Sequence, residues 1–291
     1  MTILNIGSIN WDRVYRVRHF PAPGETIAAQ SAFVGLGGKG LNQSVAISRA
    51  QGAVHHVGAI AADDARMIAA LADLGLDVEG LALLSGVETG SALILVDDGA
   101  ENTIVLDRGA NGQIPEAAVL AALDRATPGD WLLMQNETNL LEFSLVQAKE
   151  RGLRIALSAA PFRAEDVIPH LEILDLLSVN AVEFSQLQEA LAGKPLPEGL
   201  AVLITKGAEG AEYQSASEST EAKAFRVQAV DTTGAGDTFL GYFLARIDAG
   251  EPVAKALATA MAAAAIQVTR QGAVPAIPEL DEVRAFQAQH S

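Results

Sequence analysis

A chain of 291 residues with 49% hydrophobic and 19% charged side chains has room for one large α/β domain and is too apolar to stay disordered. Its formal charge of −16, with Lys and Arg scattered rather than clustered, argues against nucleic acid or anionic lipid as a partner, so a bound anion must be caught by backbone amides and a few local cations. The absence of cysteine excludes disulfides, thiol catalysis and thiolate metal sites and fits a reducing cytoplasm. The opening residues Met1–Gly7 carry no basic stretch before an apolar run, so no signal peptide is expected. No run approaches the ~18 apolar residues of a membrane span, and a cytoplasmic location is the expectation.

In chain order, Ile3–Ile9 reads as a buried strand, Arg13–Val17 and Thr26–Val34 as extended segments around a Pro-Gly turn, and Asn42–Gln51 as a helix. Val54–Ile60 is expected to be a strand, with His55 and His56 alternating between core and solvent, and Ala65–Leu74 a helix. Ser91–Val96 and Asn102–Leu106 flank Asp97-Asp98-Gly99-Ala100, a hairpin turn. From Pro115 helices and strands alternate: Glu116–Arg125, Trp131–Gln135, Leu140–Arg151, Arg154–Leu157, Leu174–Val179, Val202–Thr205 and a helix from near Gly236. Such a rhythm implies a parallel sheet with helices on both faces. The extended segments near 11–34 and 91–106 fall outside it and are expected to pair as a small sheet inserted into, or folded over, the main domain. Ser215–Glu221 reads as a polar hairpin or loop, and Ala262–Ile266 as part of a tightly packed helix.

Two glycine clusters bear on function. Gly35-Leu36-Gly37-Gly38-Lys39-Gly40 matches G-x-G-x-x-G, the dinucleotide fingerprint. That motif should follow the first strand directly and be answered by an acidic residue ~20 positions on; Asp63 and Asp64 lie at a tolerable distance, but an extended segment intervenes. The alternative is a flexible turn before a helix. A P-loop is excluded because Lys39 is followed by Gly40 rather than Ser or Thr.

The second cluster, Asp231-Thr232-Thr233-Gly234-Ala235-Gly236-Asp237-Thr238-Phe239, joins the extended run Phe225–Val230 to an apolar helix, Phe239–Ile247. Its small residues let consecutive N–H groups point outward at a helix N-terminus, where unpaired donors and the dipole favour an anion. Asp237 would sit beside that anion. A general base taking a proton from a hydroxyl that attacks phosphorus explains it, and so does an ordinary N-terminal Asp.

Asn180-Ala181-Val182-Glu183 reads either as a capping box or as Mg²⁺ and phosphate ligands, since Mg²⁺ keeps several waters and needs few carboxylates. Thr205-Lys206-Gly207-Ala208-Glu209-Gly210 is either a plain turn or a nucleotide-pocket wall. Asn10, Asp12 and Glu137 follow strands of the main sheet, where ligands collect in α/β folds, and Asn42 begins a helix behind the first glycine cluster. The five histidines show no zinc-ligand spacing, and G-x-S-x-G is absent.

Together these segments resemble the ribokinase-like (PfkB) carbohydrate kinase family over nearly the whole chain. Gly7-Ser8-Ile9-Asn10 with Asp12 is similar to its N-terminal sugar motif. Pro23-Gly24-Glu25-Thr26 and Gly37-Gly38-Lys39-Gly40-Leu41-Asn42-Gln43 are similar to its first signature, and Asp231–Phe239 to its second. Thr269-Arg270-Gln271-Gly272-Ala273 followed by Pro275 is similar to its C-terminal loop. The resemblance implies a doubly wound, mostly parallel α/β sheet with helices on both faces. A small β-sheet lid, roughly residues 11–36 and 89–108, would be inserted in a single domain spanning 1–291 and form a homodimer contact.

It implies ATP-dependent transfer of the γ-phosphoryl group to a hydroxyl of a small sugar, D-ribose first, giving ribose 5-phosphate. Asp237 would be the base and the amides of Gly234, Ala235 and Gly236 the anion hole. Asn10, Asp12, Gly38, Lys39, Asn42 and Glu137 would hold the sugar, and Asn180, Lys206, Gly207, Gly210 and Met261 the nucleotide. Glu183 would hold Mg²⁺ through water, and Asp231, Thr233 and Gly272 a K⁺ ion. Lys206, Met261, Trp11 and Ser158-Ala159-Ala160-Pro161 depart from the family's usual residues, with Trp11 expected to trim the sugar pocket. Other readings are a different sugar or a nucleoside as acceptor, an NAD-binding oxidoreductase, and a non-catalytic sugar- or nucleotide-binding module.

Overall fold

The computed structural model describes residues 1–99 and 101–290, and among them the strands sort into two sheets of nine and four. The chain opens with β1 (Thr2–Ile6), β2 (Asn10–Arg16) and β3 (Ser31–Gly37) before α1 (Lys39–Arg49), β4 (Ala53–Ala61), α2 (Ala65–Asp73) and β5 (Asp77–Leu84). β6 (Gly90–Val96) and β7 (Asn102–Asp107) precede α3 (Glu116–Leu123), β8 (Trp131–Gln135), α4 (Leu141–Glu150), β9 (Arg154–Ser158) and a short α5 (Ala164–Val167). β10 (Leu176–Asn180), α6 (Ala181–Leu191), β11 (Ala201–Thr205), β12 (Ala211–Gln214) and β13 (Ser219–Ala222) follow. Three helices end the chain: α7 (Ala235–Asp248), α8 (Val253–Val268) and α9 (Leu280–Gln289).

The large sheet runs β13-β12-β11-β10-β9-β8-β1-β4-β5, parallel except where β12 pairs antiparallel with β11 and with the edge strand β13. Its central strands are short apolar runs buried on both faces, as parallel sheets require. Side chains alternate between two cores: Leu132 and Met134 of β8 pack with Val119, Leu145 and Leu187, while Leu133 packs with Leu41, Phe239 and Phe243. The fold is thus a doubly wound α/β architecture with helices on both faces. β1 pairs with β4 on one side and β8 on the other, so the strand order reverses there and opens a crevice at its carboxyl end.

The four-stranded sheet has the order β3-β2-β6-β7, with β2 parallel to β6 and the other pairs antiparallel. Register puts Val14, Phe33, Ile94 and Ile104 on one face and Arg13, Val34, Leu93 and Val105 on the other. Val14, Ala92 and Ile94 are buried with Phe33 against them, whereas Val34, Leu93 and Val105 are exposed.

Several expectations change. β1 ends at Ile6, before Gly7 turns the chain, and the segment from Thr26 becomes a strand only at Ser31. Gly35 and Gly37 lie within β3, paired with Asp12 and Asn10 of β2, so the G-x-G-x-x-G segment does not link β1 to a helix. That connection removes the dinucleotide reading. The run Phe225–Val230 lies outside both sheets, and β5 had no alternating pattern to reveal it. His55 and His56 are both buried rather than alternating, because β4 is covered on both faces. The expected turn at 97–100 includes Ala100, which lies outside the described residues; Asp97 Oδ1 accepts from the amides of Gly99 and Glu101. Among the described residues no helix is long and apolar enough to cross a membrane.

Candidate active site

The crevice beside β1 is closed from behind by α1 and α7, which approach closely because Gly241 has no side chain. A Cβ there would lie 2.5 Å from Ala46 Cβ and 2.8 Å from the Gln43 carbonyl. The approach brings Asn42 and Gln43, on the first turns of α1, against Asp237, on the first turn of α7. Asn42 Nδ2 donates to Asp237 Oδ2 at 2.9 Å and Gln43 Nε2 to Oδ1 at 2.8 Å. Asp237 is 8% exposed, so both oxygens of a nearly buried carboxylate are held by neutral amides while the group stays reachable. Asn42 Oδ1 is buried without a protein partner, an acceptor suited to a hydroxyl donor.

β8 delivers Glu137. Its Oε2 accepts from Ser8 Oγ at 2.5 Å and from the Lys39 amide at 3.2 Å, and its Oε1 lies 3.9 Å from Lys39 Nζ. β2 delivers Asn10 and Asp12. Asn111 Nδ2 donates to Asn10 Oδ1 at 2.7 Å, and Asn111 also pairs with both backbone groups of Ile9, so it splints the turn from which Asn10 projects. Trp11 faces the opposite side of β2: its Nε1 donates to Asp64 Oδ2 at 2.8 Å and Arg66 lies over its ring. It is not among the side chains lining the cavity that holds Asp12, contrary to its expected role of trimming the pocket.

Charge is concentrated here. Burial, then Glu137 and Asp237, push the Asp12 carboxyl up to about 7, with Lys39 opposing. Burial alone would lower Lys39, but Asp237, Glu137, Glu183 and Asp12 outweigh it and hold the ammonium above its ordinary value. Lys39 is thus the cation that lets several carboxylates share one cleft.

The anion loop precedes α7. Gly234 takes φ +75, a left-handed position that an L side chain rarely adopts, and its ideal Cβ would come 3.0 Å from Gln267 Nε2 and 3.2 Å from Ala273 Cβ. Amides in the first turn lack intrahelical acceptors; the Ala235 amide meets the Thr232 carbonyl at 3.2 Å, and the space above Gly236 is open. Asp231 ties this loop to the C-terminal one: Oδ1 accepts from the Thr233 amide at 2.9 Å and Oδ2 from the Gly272 amide at 3.0 Å. Gln267 holds the Thr233 carbonyl at 2.9 Å and accepts from Thr238 Oγ1. Asp12, Asp231, Thr233 and Gly272 line one cavity of about 350 Å³ with Val14 and Phe33 of the small sheet.

On the far side of the loop an apolar cavity of about 300 Å³ is lined by Gly207, Gly210, Phe225, Gly236 and Met261, among others. Those dimensions and walls suit a flat heterocycle. Asn180 and Glu183 form the complete capping box of α6, each side chain bonding the other's amide at 2.8 Å. Glu183 is half-buried and its carboxyl is raised by burial, against the Asn180 bond and Lys39. Lys206 turns away from the cavity to Glu212 Oε2, 2.7 Å away, and Glu221 Oε1, 3.4 Å away.

Ser8, Gln43, Asn111, Gln135 and Gln267 were not singled out from sequence. Ser8 and Gln43 lie within quoted motifs and were within reach; the others carry no local signal, since their partners lie at least 29 residues away.

Amide and carboxylate acceptors around a cation, a held carboxylate and a helix N-terminus can bind a polyol, take a proton and stabilise a transferring phosphoryl group. Comparison with known proteins gives this chemistry a context. Residues 2–280 match the family model described as pfkB family carbohydrate kinase. The chain is 36% identical to a ribokinase of Haemophilus influenzae, covering 98% of each, and 37% identical to a ribokinase of Schizosaccharomyces pombe, covering 97% of this chain and 96% of that one. The crystal structure of a Cryptococcus neoformans ribokinase in complex with ADP superposes with TM-score 0.86 at 29% identity, covering 98% of both chains.

Proposed function

The chain belongs to the pfkB family of carbohydrate kinases and is an ATP-dependent carbohydrate kinase; from that premise we propose that its acceptor is D-ribose and its product ribose 5-phosphate. Both full-length relatives above are ribokinases, and the cluster of Asn10, Asp12, Asn42 and Glu137 offers acceptors for several hydroxyls of one small sugar. The observation that carries the reading is the meeting of Asn42 and Asp237 at the mouth of the anion loop.

In the proposed reaction Asp237 takes the proton of the acceptor hydroxyl as its oxygen bonds to the γ-phosphorus and the bond to ADP breaks. The amides of Gly234, Ala235 and Gly236 face the developing equatorial charge, which suits a chain of net charge −16 because amides add no cation. Lys39 and Glu137 orient the sugar; Gly38, at the N-cap of α1, lets it approach. Gly207, Gly210 and Met261 seat the base of the nucleotide, and Asn180 would face its phosphates; Lys206 would reach the nucleotide only by leaving Glu212 and Glu221.

Glu183 has the character of a Mg²⁺ ligand through water: its capping bond uses Oε2, and the ion would neutralise phosphate oxygens. Asp231, Thr233 and Gly272, joined across two loops, would hold K⁺ and so set the shape of the anion loop. We further propose that the four-stranded sheet, within one domain spanning the chain, acts as a lid and pairs two copies through its outer row of Val34, Leu93 and Val105. The enzyme would work in the cytoplasm.

The test is ATP-dependent ADP release with Mg²⁺ over pentoses, hexoses, their phosphates and nucleosides, each with and without K⁺. Ribose should give the highest kcat/KM, and K⁺ should raise it. A nucleoside or hexose ahead of ribose would overturn the acceptor while keeping the kinase.

A further inference from the structure

Behind Asp237 a row of buried amides runs through the sheet. Gln43 Nε2 donates to Asp237 Oδ1 at 2.8 Å, and Gln43 Oε1 accepts from Gln135 Nε2 at 2.8 Å. Gln135 Nε2 also donates to Asn5 Oδ1 at 2.9 Å, and Asn5 Nδ2 donates to the Gly40 carbonyl and to Ser44 Oγ, both at 2.8 Å. Asn5, Gln43 and Gln135 are each 0% exposed. Ser44 Oγ meets His56 Nδ1 at 2.8 Å, and burial, with His55 beside it, holds His56 down to about 4, so it is uncharged at neutral pH.

A primary amide can be turned end for end, exchanging donor for acceptor. This row cannot. The Gly40 carbonyl only accepts, so the Asn5 nitrogen must face it, which presents Asn5 Oδ1 to Gln135. Gln135 must then face inward with its nitrogen, whose second hydrogen goes to Gln43 Oε1 and leaves Gln43 Nε2 for the carboxylate. The Gly40 carbonyl at one end and the Asp237 carboxylate at the other, both acceptors only, fix the polarity of the three amides between them. The arrangement leaves Gln135 Oε1 buried without a partner, an unpaired acceptor where an apolar side chain would pack without loss.

We propose that Asn5, Gln135 and Gln43 form a positioning relay whose task is to deliver an N–H, never a carbonyl, to Asp237 and so fix the rotation of the base. Without Gln135, Gln43 Oε1 loses its donor, the amide is held at one end only, and the carboxylate it grips is left to turn out of line with the acceptor hydroxyl. The relay touches no substrate, so it acts on turnover rather than on sugar binding.

The proposal rests on Asp237 being the base. The test measures kcat and sugar KM for Gln43→Met, Gln135→Met, the double variant and Asp237→Asn, with melting curves to confirm folding. Each single Met variant should lower kcat on the order of 10- to 100-fold with KM within about threefold of wild type. The double variant should be no worse than Gln43→Met alone, since both remove one function. Additive losses, an unchanged kcat, or a loss confined to KM in whichever variant folds would overturn the relay. An active Asp237→Asn would instead overturn the base assignment.

Discussion

Asn42 and Asp237, 195 residues apart in the chain, share a hydrogen bond of 2.9 Å from Nδ2 to Oδ2, and the other end of the same amide is a buried acceptor without a protein partner. One side chain therefore addresses the base with its nitrogen and offers its oxygen to a hydroxyl. Asn42→Ala should raise the sugar KM on the order of 10- to 100-fold, as expected for losing a hydrogen bond to each side. Asn42→Asp sets a second carboxylate against Asp237 and should cost more in kcat/KM, because like charges at this range cannot both ionise cheaply. Steady-state kinetics of both variants check this; an aspartate no worse than alanine would remove the contact from the account.

Asp12 gives a pH signature. Burial and its acidic neighbours raise its carboxyl from 3.8 to about 7, so the folded state holds more protons than the unfolded one between those values. The contribution of Asp12 to stability must then fall as pH rises from about 4 to 7 and stay low above. Asp12→Asn, which carries no charge, should raise Tm at pH 8 and leave it nearly unchanged at pH 4, while weakening sugar binding. Melting curves at the two pH values decide it; an equal shift at both would show that the charge is not the cause.

Gly234 holds the anion loop in a left-handed turn against Gln267 and Ala273. Gly234→Ala should lower stability by about 1–2 kcal/mol and turnover on the order of 10- to 100-fold, because relief of the contact moves the amides. Denaturation and kinetics on one preparation separate the two effects. Stability lost with turnover intact would mean that the loop tolerates displacement.

The outer row of the small sheet runs Val34, Arg13, Leu93, Val105 and exposes Val34, Leu93 at 42% and Val105 at 61%, unusual side chains to leave in water on three of four strands. If that row pairs two copies, Leu93→Asp should yield a monomer in sedimentation at concentrations where the wild type is a dimer. A wild-type monomer, or an unaffected dimer, would locate the contact elsewhere or abolish it.

Much of this was legible in the sequence because local signals carry it. Trp131–Gln135 is a strand as bounded from its apolar run, and Asn180 with Glu183 forms the capping box its spacing predicts. The pairing of the two extended segments into a second sheet followed from their mismatch with the helix–strand rhythm. Long-range contacts were out of reach: nothing near Gln135 announces that it meets Asn5 and Gln43, and Asn111 reaches Ile9 and Asn10 across more than 100 residues. Gly35 and Gly37 misled because the same glycines that permit a loop also fit a strand paired with β2, where a side chain at Gly37 would collide with Asp12.

The account turns on Asp237 as the group that takes the hydroxyl proton, and the turnover of Asp237→Asn with ribose and ATP tests it most directly. The variant keeps shape and loses basicity. A fall in kcat on the order of 10²–10⁴ with ribose binding largely retained is the expected result. Turnover close to wild type would contradict it and remove Asp237 from the mechanism.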